Sequence, residues 1–221
     1  MNPRQSNIVG VISFSFVLLA DIIVIYFGWD GWRWVSKSVL MPVLLLFLWQ
    51  TARYNNIDHF RVHVLALLLS WAGDILLLGG LFLPGLIAFL WAHLMYIVLF
   101  IQLGIKKGGS YLFLRLLFTV LVGLIIGYML SRGQLEIRWA IMLYGAIIVL
   151  MWQLSTLLPR PNRWVITGAS SFVLSDFILA YGLFVSDFSG RSLLVMVTYG
   201  VAQLSLLIGL RKIGWMQSRL D

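Results

Sequence analysis

Apolar residues run in long unbroken stretches along the chain, separated by short segments rich in charge, glycine or proline, and this pattern predicts membrane-spanning helices. The stretches are Asn7 to Phe27, Trp34 to Ala52, Val62 to Gly79, Phe82 to Leu103, Tyr111 to Leu130, Ile137 to Leu157, Val165 to Phe184 and Ser192 to Leu210. Each is close to the roughly 20 residues a helix needs to cross about 30 Å of hydrocarbon, where unpaired backbone groups are intolerable. Only Gly79-Gly80 and Leu83-Pro84-Gly85 divide the third from the fourth, a tight turn that suits adjacent antiparallel helices. The first stretch follows Arg4 but is span-length and lacks a small-residue cleavage site, so it reads as a span and not as a secretory signal. The expected fold is all-α, a polytopic membrane helix bundle of about eight transmembrane helices, with residues 1–221 as a single transmembrane domain.

Composition agrees: 61% of the residues are hydrophobic, 11% are charged, and the mean hydropathy is +0.97. There is no cysteine, which removes disulfides, thiolate nucleophiles and cysteine metal sites together. A net charge of +8 could suggest nucleic acid, but the basic residues are scattered through short loops and form no tract, so no nucleic-acid partner is expected. Orientation explains them better. With the N-terminus inside, one face collects Arg4, Arg53, Arg61, Lys106, Lys107, Arg115, Arg160, Arg163, Arg211, Lys212 and Arg219, and the other Arg33, Lys37, Arg132, Arg138 and Arg191. This bias places both termini in the cytoplasm, and in a bacterium the membrane would be the plasma membrane. Trp29, Trp32, Trp34 and Trp139 then form the outer aromatic belt, with Trp49, Trp164 and Trp215 in the inner one.

Few ionisable residues fall inside the spans, and an intramembrane carboxylate costs enough that it usually faces a cavity or a partner. Asp74 and Asp176 are 12 and 11 residues from the inner ends of their spans, and His93 is 10 from the inner end of its own. At 1.5 Å per residue these lie at roughly 18, 17 and 15 Å, in one layer. The two aspartates also sit in an internal echo: Gly73 to Phe82 (GDILLLGGLF) and Ser175 to Phe184 (SDFILAYGLF) align without gaps, with five of ten positions identical. Both segments end a span and run in the same direction, as two four-helix halves related by a parallel repeat would. Small residues, Ser70 and Gly73 in one helix and Gly168, Ser171 and Ser175 in the other, turn those faces inward. A hydrogen-bonded clamp between helices would use the same residues.

Other polar positions line up with that layer. His93 and Tyr96 share a face at i,i+3, Tyr199 and Gln203 share one at i,i+4, and Tyr144 enters the sixth span at similar depth. Lys37 stands near the outer end of the second span, where it could also snorkel to the headgroups. His59 and His63 have metal-pair spacing but no accompanying acid, and read as interface histidines. Gly123 and Gly127 form a GxxxG that reads as helix packing. Asp21 lies deep in the first span with no motif around it, as a partner for Lys37 or a polar wall residue.

Several separated motifs together resemble the YhhN family of membrane proteins, which includes the lysoplasmalogenases. They are Lys37 with Met41-Pro42, Gly73-Asp74, Ala92-His93 with Tyr96, Tyr144 with Met151-Trp152, Gly168 leading to Ser175-Asp176, and Tyr199 with Ala202-Gln203. The proline that usually follows the lysine is Ser38 here. The resemblance implies an eight-helix fold and hydrolysis of the vinyl ether bond of a lysoplasmalogen, carrying ethanolamine or choline, to a fatty aldehyde and a glycerophospho-base. No cofactor is implied; the partners are the lysophospholipid, water and the surrounding membrane lipids. On this expectation Asp74, Asp176 and His93 are catalytic: one aspartate supplies a proton to carbon, the other steadies the oxocarbenium ion and activates water, and His93 tunes or relays the proton. Tyr96, Tyr144, Ser175, Tyr199 and Gln203 would orient the substrate, and Lys37 would hold its phosphate. Two rivals use the same layer: a transporter or lipid-binding protein with a proton relay or polar substrate site, and a hydrolase with His93, Asp74 and Asp176 as metal ligands, a set poor in nitrogen donors.

Overall fold

The apolar stretches form eight helices in a computed structural model: α1 (Pro3–Tyr26), α2 (Asp30–Asn55), α3 (Phe60–Leu78), α4 (Phe82–Gln102), α5 (Leu112–Arg132), α6 (Arg138–Thr156), α7 (Arg163–Phe184) and α8 (Arg191–Gln217). The structure describes residues 3–55, 60–105, 112–132, 138–158 and 162–217, and these contain no strand. His59, Lys106, Lys107, Arg160 and Arg219 lie outside the described residues, as do the side chains of Arg4, Arg53, Arg132 and Trp215 and the surroundings of Gly127. Seven of the helices are long and apolar enough to cross a membrane, and α5 contributes a shorter apolar stretch, Arg115–Ile125. The chain is an integral multi-pass membrane protein.

Helix ends depart from the hydropathy pattern where polar residues continue a helix into the interface. The second helix begins at Asp30, four residues before the expected Trp34, because the turn closes earlier, at Gly28 with φ of +67°. The α3–α4 turn is made by Gly80, at φ +75°. Leu83-Pro84-Gly85 belongs instead to the first turn of α4, where Pro84 gives up an N–H that has no helical partner. In α2, Pro42 deprives the Ser38 carbonyl of its usual helical donor. Trp71 of α3 supplies the missing bond, its Nε1 donating to Ser38 O at 2.9 Å.

Seven helices close into a ring: α1 packs on α2, α2 on α3, α3 on α4, α4 on α6, α6 on α7, α7 on α8, and α8 on α1. Helix α5 lies outside it, against α6 and α7. It is fastened there by Phe118, stacked on Trp152 at 3.9 Å, and by Gln153 Nε2 donating to Thr119 Oγ1. The halves α1–α4 and α5–α8 repeat one another in part, since α1·α2, α2·α3 and α3·α4 recur as α5·α6, α6·α7 and α7·α8, and α4·α6 recurs as α8·α2. The phenylalanines that end the two echoed segments, Phe82 and Phe184, meet edge to face at 5.7 Å.

The small-residue faces do bring backbones together. A Cβ on Gly73 would come within 2.6 Å of the Phe89 ring on α4, and one on Gly168 within 2.8–2.9 Å of Leu206 and the Ala202 carbonyl on α8. Gly168→Val is therefore expected to destabilise the protein by about 1–3 kcal/mol, read as a lower melting midpoint in detergent. An unchanged midpoint would contradict this close approach. Gly123 does not behave as expected: it is exposed, and a Cβ there would meet nothing within 4 Å, because α5 turns Phe118 and Val122 inward instead. His63 is likewise no interface residue. It is buried at the start of the α3 stripe that continues through Ala66, Leu67, Ser70, Gly73 and Asp74, with its ring 6.0 Å from that of Tyr96.

Candidate active site

The layer of ionisable groups resolves into two clusters inside the ring. In the first, Asp74 of α3 is met by Lys37 of α2, Nζ to Oδ1 at 3.1 Å, and by Tyr199 of α8, whose hydroxyl donates to Oδ2 at 2.8 Å. The chain continues through Gln203 Nε2, which donates to the Tyr199 oxygen at 3.3 Å, to Tyr96, whose hydroxyl donates to Gln203 Oε1 at 2.8 Å. All five side chains are buried. Four helices are thus tied by one polar chain, with a charge pair at its end.

In the second cluster, Tyr144 of α6 donates to Asp176 Oδ2, and His93 Nε2 of α4 stands 3.8 Å from the same oxygen, too far for a hydrogen bond. The His93 and Tyr144 rings meet edge to face at 5.4 Å, which sets the imidazole behind the carboxyl. Phe89 and Phe172 separate the clusters. Phe172 touches His93 at 4.6 Å and Tyr199 at 5.5 Å, and Phe89 touches Tyr199 at 5.9 Å. Each carboxyl is bonded by the second helix of its own half, α2 or α6, and faces a residue of the fourth helix of the other half, Tyr199 of α8 or His93 of α4. The repeat seen in sequence is therefore also a repeat of the sites, with unlike partners.

Their access differs. The Asp176 side chain is 18% exposed and that of Asp74 only 2%. Asp176 and Tyr144 line a cavity of about 230 Å³ whose other walls, Ser170 apart, are apolar, among them Leu86, Phe118, Val122, Ile141 and Phe177. Helices α3, α4, α5, α6 and α7 all contribute to its walls, with α5 closing it from outside the ring. Asp74 is not among the lining residues.

Several expected roles change on this geometry. The ammonium of Lys37 faces inward to Asp74 and is not offered to headgroups, because the early start of α2 places it two turns inside the helix. Ser175 clamps α7 to α8 by donating to Val195 O at 3.1 Å. Tyr96, Tyr199 and Gln203 serve the buried chain around Asp74 and do not reach the cavity. Asp21 is fully buried and accepts a bond from Ser36, not from Lys37. Among the described residues no three acidic or histidine groups gather as metal ligands. The cavity itself and the Phe89–Phe172 partition left no signal in the sequence, since apolar residues at these positions look like any other lipid-facing or core residue.

The comparisons with known proteins agree on the family. The chain is 30% identical to the lysoplasmalogenase TMEM86B of Homo sapiens over 179 residues, 79% of this chain and 75% of that protein. No solved structure matches it. The YhhN family matches residues 32–210, a span that holds both aspartates, both of their partner pairs and every wall of the cavity, and the chain belongs to that family.

Proposed function

We propose that the protein is a membrane-embedded hydrolase that cleaves the vinyl ether bond of lysoplasmalogens, with Asp176 as its proton donor. The observation that carries the assignment is that Asp176 is the carboxyl on the wall of a largely apolar cavity between the ring and α5. At about 230 Å³ the cavity is smaller than the roughly 300–1,000 Å³ of pockets that engulf a drug-sized ligand. It suits the reacting end of a single-chain lipid whose tail stays in the bilayer. Family membership and the lysoplasmalogenase relative support the reaction class.

Tyr144 occupies Oδ2 of Asp176 and leaves Oδ1 to carry the proton. That proton passes to the outer vinyl carbon, and the double-bond electrons form the new C–H bond. The positive charge then spreads over the inner carbon and the ether oxygen. Water adds to the inner carbon and loses a proton to the Asp176 carboxylate, which restores the acid. The hemiacetal then breaks its bond to the glycerol oxygen as its hydroxyl loses a proton and the leaving oxygen gains one, giving aldehyde and glycerophospho-base. His93 stands beside the carboxyl and packs on Tyr144, and the Asp74–Lys37 pair with Tyr199 ties α2, α3 and α8 together. On this reading a second carboxylate is not needed for proton balance, since the proton cycles on one residue. The positive-inside bias supports cytoplasmic termini, and hence a cavity in the outer half of the membrane.

Incubating purified protein with a lysoplasmenyl lipid and a panel of acyl lysophospholipids, with products identified by mass spectrometry, tests the reading. Aldehyde from the alkenyl lipid alone is expected; pH-gradient-driven uptake into proteoliposomes with no product would replace it with transport. Tyr144→Phe should lower kcat about tenfold with KM little changed, because it removes one hydrogen bond to the reacting carboxyl. An unchanged kcat would remove Tyr144 from the mechanism.

A further inference from the structure

A second cavity, of about 450 Å³, lies at the end of the bundle between the α1–α2 turn and the α7–α8 turn. Unlike the first it is lined largely by polar and charged groups: Asp30, Arg33, Asp187, Ser189, Arg191 and Ser192. Trp29 and Trp32, exposed beside it, mark headgroup depth. Arg191 is paired with Asp187 at 3.0 Å, which engages one of its two terminal nitrogens and leaves further donors of the guanidinium fork. The Arg33 Nε is buried without a hydrogen-bond partner among the described residues. The helices α2 and α8 both begin here, at Asp30 and Arg191, and present the positive ends of their dipoles to the cavity.

We propose that this cavity binds the zwitterionic phosphodiester headgroup of a membrane lipid, with the phosphate on Arg33 and Arg191 and the ammonium on Asp30 and Asp187. Two guanidinium groups and two carboxylates sum to no net charge, which matches a zwitterion better than a simple anion. A guanidinium at the site also provides the planar fork that phosphate oxygens accept. Lys37 cannot serve here, being engaged by Asp74. This proposal does not depend on the hydrolase reading, since none of the residues that carry it lines the first cavity.

The test is native mass spectrometry of the full chain released from micelles. The ligands are acyl lysophosphatidylethanolamine, acyl lysophosphatidylglycerol and the monoacylglycerol of the same chain, each with and without millimolar inorganic phosphate. The wild type should bind the ethanolamine lipid at least about tenfold more tightly than the monoacylglycerol, and Arg33→Gln should erase about tenfold of that preference. Asp30→Asn should narrow the preference for ethanolamine over glycerol headgroups. Should Arg33→Gln not fold, Arg33→Lys is read instead, and its preference should fall several-fold because an ammonium cannot present the fork. An unchanged preference in the arginine variant, or an unchanged ethanolamine-over-glycerol ratio in Asp30→Asn, overturns the proposal. Displacement of the lipid by inorganic phosphate overturns it too, by marking a site for free phosphate.

Discussion

Asp176→Asn should lower the rate of aldehyde release by about 10²–10⁴-fold, the usual worth of a positioned general acid, while leaving the melting midpoint close to wild type. Asparagine keeps the shape of the side chain and can still accept the Tyr144 hydroxyl, so the α6–α7 contact survives. What it lacks is a proton to give to carbon. The separation of effects matters because, among the described residues, Asp176 has no ion-pair partner closer than His93 at 3.8 Å, so replacing the carboxyl strands no counter-ion. Wild-type activity in a folded Asp176→Asn protein would end its assignment as the acid.

The Asp74–Lys37 pair should behave in the opposite way. Removing one member leaves a charge buried in the membrane without its partner, so Asp74→Asn or Lys37→Met is expected to cost about 3–5 kcal/mol. The double variant Asp74→Leu/Lys37→Met strands neither charge and should recover most of that loss. Reversible unfolding in mixed micelles measures the three variants. The activity of the double variant carries a further result. Since the Asp74 side chain is 2% exposed and does not line the cavity, the folded double variant should still release aldehyde. A folded but inactive double variant would show that the Asp74 carboxylate takes part in the chemistry.

Hydropathy made the helices legible because insertion in a bilayer depends on length and apolar content, which a sequence states directly. Depth was legible for the same reason: a fixed rise per residue put Asp74, His93 and Asp176 in one layer, and the structure joins His93 to Asp176 there. Rotation about each helix axis was not. A lysine near a span end can snorkel outward or turn inward, and a start at Asp30 in place of Trp34 moved Lys37 far enough inside to meet Asp74. The order of helices around the ring was also hidden, because apolar faces that meet lipid and apolar faces that meet protein have the same composition. This concealed the exclusion of α5 and with it the cavity. The internal echo was a better guide, since the same two aspartates anchor matching sites in the two halves.

On the proposed mechanism Asp176 is the reacting carboxyl and Asp74 a structural one, where the sequence left open which of the two is the acid. That division follows from partners: a lysine and a closed hydrogen-bonded chain for Asp74, a tyrosine and an apolar cavity for Asp176. The central claim is that the protein delivers a proton to the vinyl carbon of a lysolipid, and labelling in D₂O tests it most directly. Wild-type protein is incubated with a lysoplasmenyl lipid in D₂O, the aldehyde is trapped as it forms by reduction, and the product is read by mass spectrometry. One deuterium on the carbon next to the former carbonyl is predicted, together with an unlabelled carbon skeleton in the glycerophospho-base. Release of the chain without deuterium at that carbon, or no aldehyde at all, would contradict the account.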